Sequence, residues 1–246
     1  MTDKTGRRRL YLMRHGHVDY FAEDVTDFRM VPLTKTGRQQ AASAGRAMSD
    51  IQFDAVYHSG LPRTLQTAEI VMSSNTLSAS VPHQTASGME ELRGGVFVTD
   101  SREELAARLA FSFETAHEPD AEFLPGGERF SKAYQRITSS FEDLVLTESW
   151  RTALLVAHEG VNRILLSYIS KAGLKGLGTF EQDLACINIL DVDVVPDDND
   201  LPRIQRIILK AINVTTYDHV KLDLPKTSLE HLFDIDFQGL RPPPQL

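Results

Sequence analysis

Residues 10–16 read Leu10-Tyr11-Leu12-Met13-Arg14-His15-Gly16, four apolar residues running straight into an arginine, a histidine and a glycine. An uninterrupted apolar run suits a strand buried on both faces, as in a parallel sheet, and the glycine permits the sharp turn that ends it. Arg14 and His15 then fall at the strand's C-terminal edge, where open α/β sheets bind their ligands.

The pattern recurs. Thr152 to Ala157 is a second apolar run, closed by His158 with Gly160 just beyond, and Asp54 to Tyr57 is a third, followed by His58, Ser59, Gly60 and then Arg63. If the three strands are parallel neighbours, their ends bring Arg14, His15, Arg63 and His158 to one edge, although these residues span most of the chain. Four such groups form an anion site.

The rest of the chain supports an alternating β/α reading. Thr34 is expected to N-cap a helix whose buried stripe is Ala41, Ala44, Met48 and Ile51. Pro62 suits the first turn of the next helix, with Leu61, Leu65, Ala68 and Met72 toward the core and Arg63 on another face near the donor-rich end. A short strand near 80–84 leads to the loop Met89-Glu90-Glu91-Leu92-Arg93-Gly94-Gly95. Ser101 with Glu104 reads as a capping box, opening a helix striped by Leu105, Leu109 and Phe113. A longer helix follows Pro125-Gly126-Gly127, and an amphipathic one starts near Gly160 with Val161, Ile164, Leu165, Tyr168 and Ile169. Residues 185–193 and 203–212 read as an antiparallel pair, and a short helix is expected near 227–235. The expected architecture is one three-layer α/β/α sandwich over residues 1–246, with a core of about 8–212 and a C-terminal extension, 213–246. Its central sheet is mostly parallel with an antiparallel edge strand.

Composition narrows the functions. The net charge of −8 over 246 residues argues against a broad nucleic-acid surface, so an anion site here is a local basic pocket in an acidic protein. The single cysteine, Cys186, excludes a disulfide framework and a Cys-rich zinc site, which fits a cytoplasmic protein. No run is long enough to span a membrane, and no apolar signal region precedes the first strand. Among the other histidines, His58 reads as structural, while His83, His117, His219 and His231 have no motif around them.

These residues resemble the histidine phosphatase superfamily, the phosphoglycerate mutase-like family. R-H-G at 14–16 is similar to its signature, P-L-T-K-T-G at 32–37 to its P-L-T-x-x-G segment, and H-S-G-L-P-R-T-L-Q-T-A at 58–68 to its S-x-L-x-R-x-x-Q-T-A segment. M-E-E-L at 89–92, P-G-G-E at 125–128 and V-A-H-E-G-V at 156–161 resemble the acidic, P-G-G-E-S and second-histidine motifs, all in family order. The resemblance implies that neutral His15 attacks phosphorus, forming a phosphohistidine that water later hydrolyses. Arg14, Arg63 and His158 bind the phosphoryl oxygens, Glu91 serves as acid and then base, and His17 is a candidate for facing the substrate. That acid role requires the Glu91 pKa to be raised by burial and by the bound substrate's charge.

The chain also departs from the family. His17, Val18, Asp19, Tyr20 and Phe21 follow the signature where an acid, Thr and Trp-Asn are common, so a hydroxyl and an amide that help hold phosphate are missing. Glu159 stands where glycine is common, and is expected to repel a second phosphate or accept hydrogen bonds from substrate hydroxyls or amines. The W-N, N-E-R-x-Y-G and H-G-N-S motifs of the cofactor-dependent mutases are absent. The expectation is therefore a metal-independent phosphatase without cofactor, acting on a small phosphorylated metabolite, with no nucleic-acid or membrane partner; a homodimer is left open. The alternatives are a mutase-type phosphotransferase and a catalytically idle phosphate-binding protein.

Overall fold

The computed structural model describes residues 4–23, 25–78, 80–95, 101–233 and 236–239. Strand β1 (Gly6–Arg14) leads through helix α1 (Lys35–Ala47) to β2 (Ala55–His58), helix α2 (Pro62–Ser73) and β3 (His83–Thr85). Helices α3 (Arg102–Phe111) and α4 (Phe130–Thr147) precede β4 (Thr152–Ala157) and α5 (Glu159–Ile169). The chain then forms β5 (Ile187–Pro196), β6 (Pro202–Val214) and the short helix α6 (Ser228–Phe233).

The six strands make one sheet in the order β3-β2-β4-β1-β5-β6. β3, β2, β4 and β1 are parallel; β5 pairs antiparallel with β1, and β6 antiparallel with β5. The antiparallel edge is thus two strands rather than one. Alternation along β1 sends Leu10 and Leu12 to one face, where they meet α4 and α5, while Met13 joins α1 and α2 on the other. That is the expected sandwich of helix, sheet and helix.

Local signals explain most element ends. The Thr34 hydroxyl accepts from the Gly37 amide at 3.1 Å and starts α1, and Pro62 stands in the first turn of α2. Gly37 itself is forced by a close approach: a Cβ there would lie 2.1 Å from the His17 carbonyl oxygen. Only glycine lets α1 pack onto the backbone just after the first histidine.

Three expectations need correction. Leu65 is only partly buried, because α2 turns Arg63, Thr64, Thr67 and Ala68 inward instead. Helix α5 is buried at every position from Glu159 to Ser167, so its amphipathic stripe continues onto polar residues that are enclosed rather than solvated. The Ser101 hydroxyl does cap α3, but Glu104 pairs with Arg108 at 2.9 Å rather than completing a box. Phe97, the Leu105 side chain, residues 234–235 and the Arg-Pro-Pro-Pro-Gln-Leu ending lie outside what is described. Among the described residues, no helix is long and apolar enough to cross a membrane.

Candidate active site

Strand register assembles the site. Arg14 of β1 pairs with Ala157 of β4, so the next residue on each strand, His15 and His158, leaves the sheet side by side. Their rings stand edge-to-face with centroids 5.2 Å apart. On the other side of β4, His58 of β2 pairs with Val156, which brings Ser59 against His158. Arg63 follows in the first turn of α2. Thr67, one turn further, accepts from the Gly16 amide at 3.2 Å and donates to the Arg63 carbonyl at 2.7 Å, so the arginine's helix is tied to the loop after His15. Arg14, His15, Arg63 and His158 are all 3% exposed or less.

The protonation of His15 follows from one contact. Its Nδ1 lies 2.7 Å from the Gly16 carbonyl oxygen, which can only accept, so Nδ1 carries the hydrogen and Nε2 keeps its lone pair. Burial, then Arg63 and Arg14, push its basicity well below the ordinary 6.5. The ring is neutral and nucleophilic at Nε2. His158 is depressed likewise, by burial first and then by Arg63, His15 and Arg14. Its Nε2 lies 2.8 Å from the Ser59 hydroxyl, which lies 2.9 Å from that of Thr64. The Thr64 hydroxyl gives its hydrogen to the Leu61 carbonyl at 2.8 Å, so Ser59 donates to Thr64 and accepts from His158 Nε2, which leaves Nδ1 without a protein partner and a donor only when the ring is protonated.

The two arginines keep donors in reserve. Arg14 gives one terminal nitrogen to the Gln182 carbonyl and the other to Glu159 at 3.1 Å. Arg63 reaches the Phe28 and Arg29 carbonyls, each at 3.3 Å, and its guanidinium lies 5.7 Å from the Tyr20 ring centre. In both residues Nε is buried without a partner. The Nε groups of Arg14 and Arg63 are thus unpartnered buried donors, and both arginines act on the His15 ring. An unpaired buried donor costs about 1–3 kcal/mol, which a tetrahedral oxyanion would relieve.

Glu91 comes from the loop after the 3-10 turn at Ser87–Met89 and sits at the start of α5. Its carboxylate accepts from the Leu92 amide at 2.9 Å and from the Gly160 amide at 3.4 Å. Although the residue is partly exposed, desolvation of the carboxyl raises its pKa above the usual 4.5, against the Leu92 amide, Arg63 and Arg14. His17 is half-buried at the edge of the site, its Nδ1 2.9 Å from the Thr34 hydroxyl. Its basicity is lowered by burial and, more weakly, by Arg14 and His231. His58 accepts from the Gly60 amide at 3.1 Å, a turn-fixing contact.

Glu159 is where the structure corrects the sequence reading. It is 4% exposed, lies 3.1 Å from Arg14 and 2.9 Å from Arg163, and so is committed to protein cations rather than to a substrate hydroxyl or amine. Sequence reasoning missed Ser59, Thr64, Thr67 and the Gln182 carbonyl as supports of the site. The first three stand inside the H-S-G-L-P-R-T-L-Q-T-A segment, where the end of β2 for Ser59 and the spacing along α2 for Thr64 and Thr67 were the available signals; the carbonyl left none.

The geometry presents a neutral imidazole lone pair beside two arginines with donors to spare, with a carboxyl of raised pKa nearby. That combination suits transfer of a phosphoryl group. Known proteins agree. The chain is 25% identical over 187 residues to the adenosylcobalamin/alpha-ribazole phosphatase of Escherichia coli, covering 75% of this chain and 90% of that protein. It is 40% identical to the fructose-2,6-bisphosphatase TIGAR B of Danio rerio, but over only 73 residues, 28% of that protein. Its fold resembles the crystal structure of the alpha-ribazole phosphatase from Shigella flexneri, with a TM-score of 0.62 at 22% identity, covering 83% of this chain and 96% of that one. The model of the histidine phosphatase superfamily (branch 1) matches residues 10–196, and the chain belongs to that superfamily.

Proposed function

We propose that the protein is a metal-independent phosphatase that hydrolyses a small phosphate monoester through a phosphohistidine on His15. The observation that carries this reading is the His15 Nδ1 contact with Gly16, which leaves Nε2 its lone pair in a site that also holds His158 and the unpartnered Nε donors of Arg14 and Arg63. In the first half-reaction Nε2 attacks phosphorus as the bond to the leaving oxygen breaks, and Glu91 gives that oxygen its proton. In the second, water attacks the phosphohistidine, Glu91 takes the water's proton, and the N–P bond breaks to release inorganic phosphate. Arg14, Arg63 and His158 hold the charge of the equatorial oxygens through both steps.

Hydrolysis is favoured over phosphoryl transfer by the missing mutase motifs around His15, Glu91 and His158. Relatives named for phosphorylated sugars and ribazoles support a small phosphorylated metabolite as the substrate class. The test is a panel of such esters incubated with chelator, using wild type and His15→Ala, together with acid-labile, alkali-stable labelling of the protein from a radiolabelled ester. Phosphate release and label are expected in wild type alone. An isomeric product that keeps its phosphoryl group would instead establish a mutase, and binding without turnover an idle receptor.

A further inference from the structure

The phosphate-binding Arg14 is held by two contacts, and both lead to residues 181–182, one directly and one through a chain of ion pairs. Its first partner is the carbonyl of Gln182, whose side chain is locked by Asn162 at 3.0 Å and Asn188 at 2.8 Å. Its second partner is Glu159, which shares its carboxylate with Arg163 at 2.9 Å. Arg163 continues to Glu181 at 2.6 Å, and Glu181 accepts from the backbone amide of Ser228 at 2.8 Å. Ser228 is the first residue of α6, and it lies beyond residues 10–196 that match the family.

Helix α6 is itself well anchored. Thr227 and Glu230 cap its start reciprocally, at 3.3 Å and 2.6 Å, and Leu229 is buried in the main core. Glu230 also accepts from the Phe237 amide at 2.8 Å. Burial alone would raise the Glu181 carboxyl, but Arg163 and the Ser228 amide outweigh it and hold Glu181 below its ordinary range. The chain Arg14–Glu159–Arg163–Glu181 therefore alternates two cations with two anions. Arg14, Glu159 and Arg163 are buried and Glu181 is partly exposed, so removing Glu181 leaves a buried cation short of a partner.

We propose that α6 is a positioning element of the phosphate site: its docking on Glu181 fixes the 181–182 segment, and thereby both anchors of the Arg14 guanidinium. Glu181 reaches Arg14 through Arg163 and Glu159, while its neighbour Gln182 reaches it directly. Release of α6 lets both anchors shift, and Arg14 then meets the phosphoryl oxygens out of register. The inference rests on the phosphatase reading only in taking Arg14 as a phosphate ligand.

Ser228→Pro tests it, because proline is tolerated at the first helical position and removes the N–H that Glu181 accepts, together with the buried Ser228 hydroxyl beside it. Glu181→Gln breaks the ion pair from the other side and carries the test if the proline variant does not fold. The readouts are the inhibition constant of inorganic phosphate and the kcat and KM of an aryl phosphate. Each variant is expected to raise the phosphate constant and KM by about 5- to 10-fold, as for loss of one hydrogen bond of about 1 kcal/mol, with kcat changed less than about 2-fold. The increase is expected to vanish in an Arg14→Gln background, where nothing is left to position. Wild-type constants in both variants, with hydrogen exchange showing α6 released, would overturn the inference. So would an equal increase in the Arg14→Gln background. A wild type that neither binds phosphate nor releases it would fail the phosphatase reading and this inference with it, whereas an active wild type with unaffected variants fails the inference alone.

Discussion

Gly160→Ala probes the acid role of Glu91 without touching Glu91. Gly160 lies in the first turn of α5, and a Cβ there would stand 2.4 Å from the Leu92 Cδ1 and 2.7 Å from the Glu91 Oε1. Ordinary contact begins near 3.4 Å, so the 91–92 loop must retreat by about 1 Å at Leu92 and somewhat less at Glu91. Overpacking costs about 1–3 kcal/mol, while exchanging glycine for alanine inside a helix returns about 1 kcal/mol. The expected net loss of stability is therefore about 0–2 kcal/mol, and the variant folds. Catalysis suffers more, since a misplacement of about 1 Å can cost about 100-fold. The loss is expected mainly where the leaving oxygen needs a proton. We expect kcat/KM to fall by about 10- to 100-fold for an alkyl phosphate and by less than about 3-fold for an aryl phosphate whose leaving group departs unprotonated. This ratio reports the first half-reaction alone, so the second use of Glu91 as base does not blur it. Equal losses on the two esters, or no loss on either, would refute the assignment.

Two further outcomes follow from the same geometry. The productive form needs neutral His15 and protonated Glu91; with His15 well below 6.5 and Glu91 above 4.5, activity should fall on the acid side as His15 gains a proton and on the alkaline side as Glu91 loses one. The pH profile of kcat/KM checks this, and an alkaline limb that survives in Glu91→Gln would take the proton away from Glu91. Ser59→Ala deletes the hydroxyl 2.8 Å from the His158 Nε2, so it should weaken inorganic phosphate by about 5- to 100-fold, measured as its inhibition constant. An unchanged constant would mean that Ser59 does not orient His158.

Much of this site was legible because strands and their C-terminal edges are written in local pattern. The apolar runs ending at Arg14, His58 and Ala157 needed only parallel pairing to bring His15, Ser59 and His158 together. Glu159 was misread for a physical reason. A carboxylate beside a histidine looks solvated in sequence, and its partner Arg163 is visible at helical spacing, but Arg14 reaches it only across the sheet. The polar face of α5 was likewise taken as outward because periodicity measures apolar residues, and buried polar ones that satisfy each other are invisible to it. Leu65 was placed too deep because Thr64 and Thr67, which point inward to hold Ser59 and Gly16, carry no apolar signal. The contact of α6 with Glu181 spans 47 residues and uses a backbone amide, so no side-chain pattern encodes it.

One physical cause underlies the opposite shifts of His15 and Glu91. Desolvation penalises whichever form is charged, so it lowers the basicity of His15 and raises the pKa of Glu91. In water the two groups titrate at about 6.5 and 4.3, an order in which the productive pairing is rare, and burial moves each toward the other. Burial alone would also exclude a phosphate dianion, and here the arginines alter the balance. Arg14 and Arg63 are already paid for in folding, and they deepen the depression of His15 while waiting with an unpartnered Nε each. In the proposed reaction the dianion meets those donors and its charge raises Glu91 further, so substrate binding would strengthen the acid that the leaving group requires. Replacing Arg63 by a neutral residue should therefore do more than weaken binding: it removes a field that keeps His15 unprotonated and shifts the acid limb of the pH profile toward neutrality.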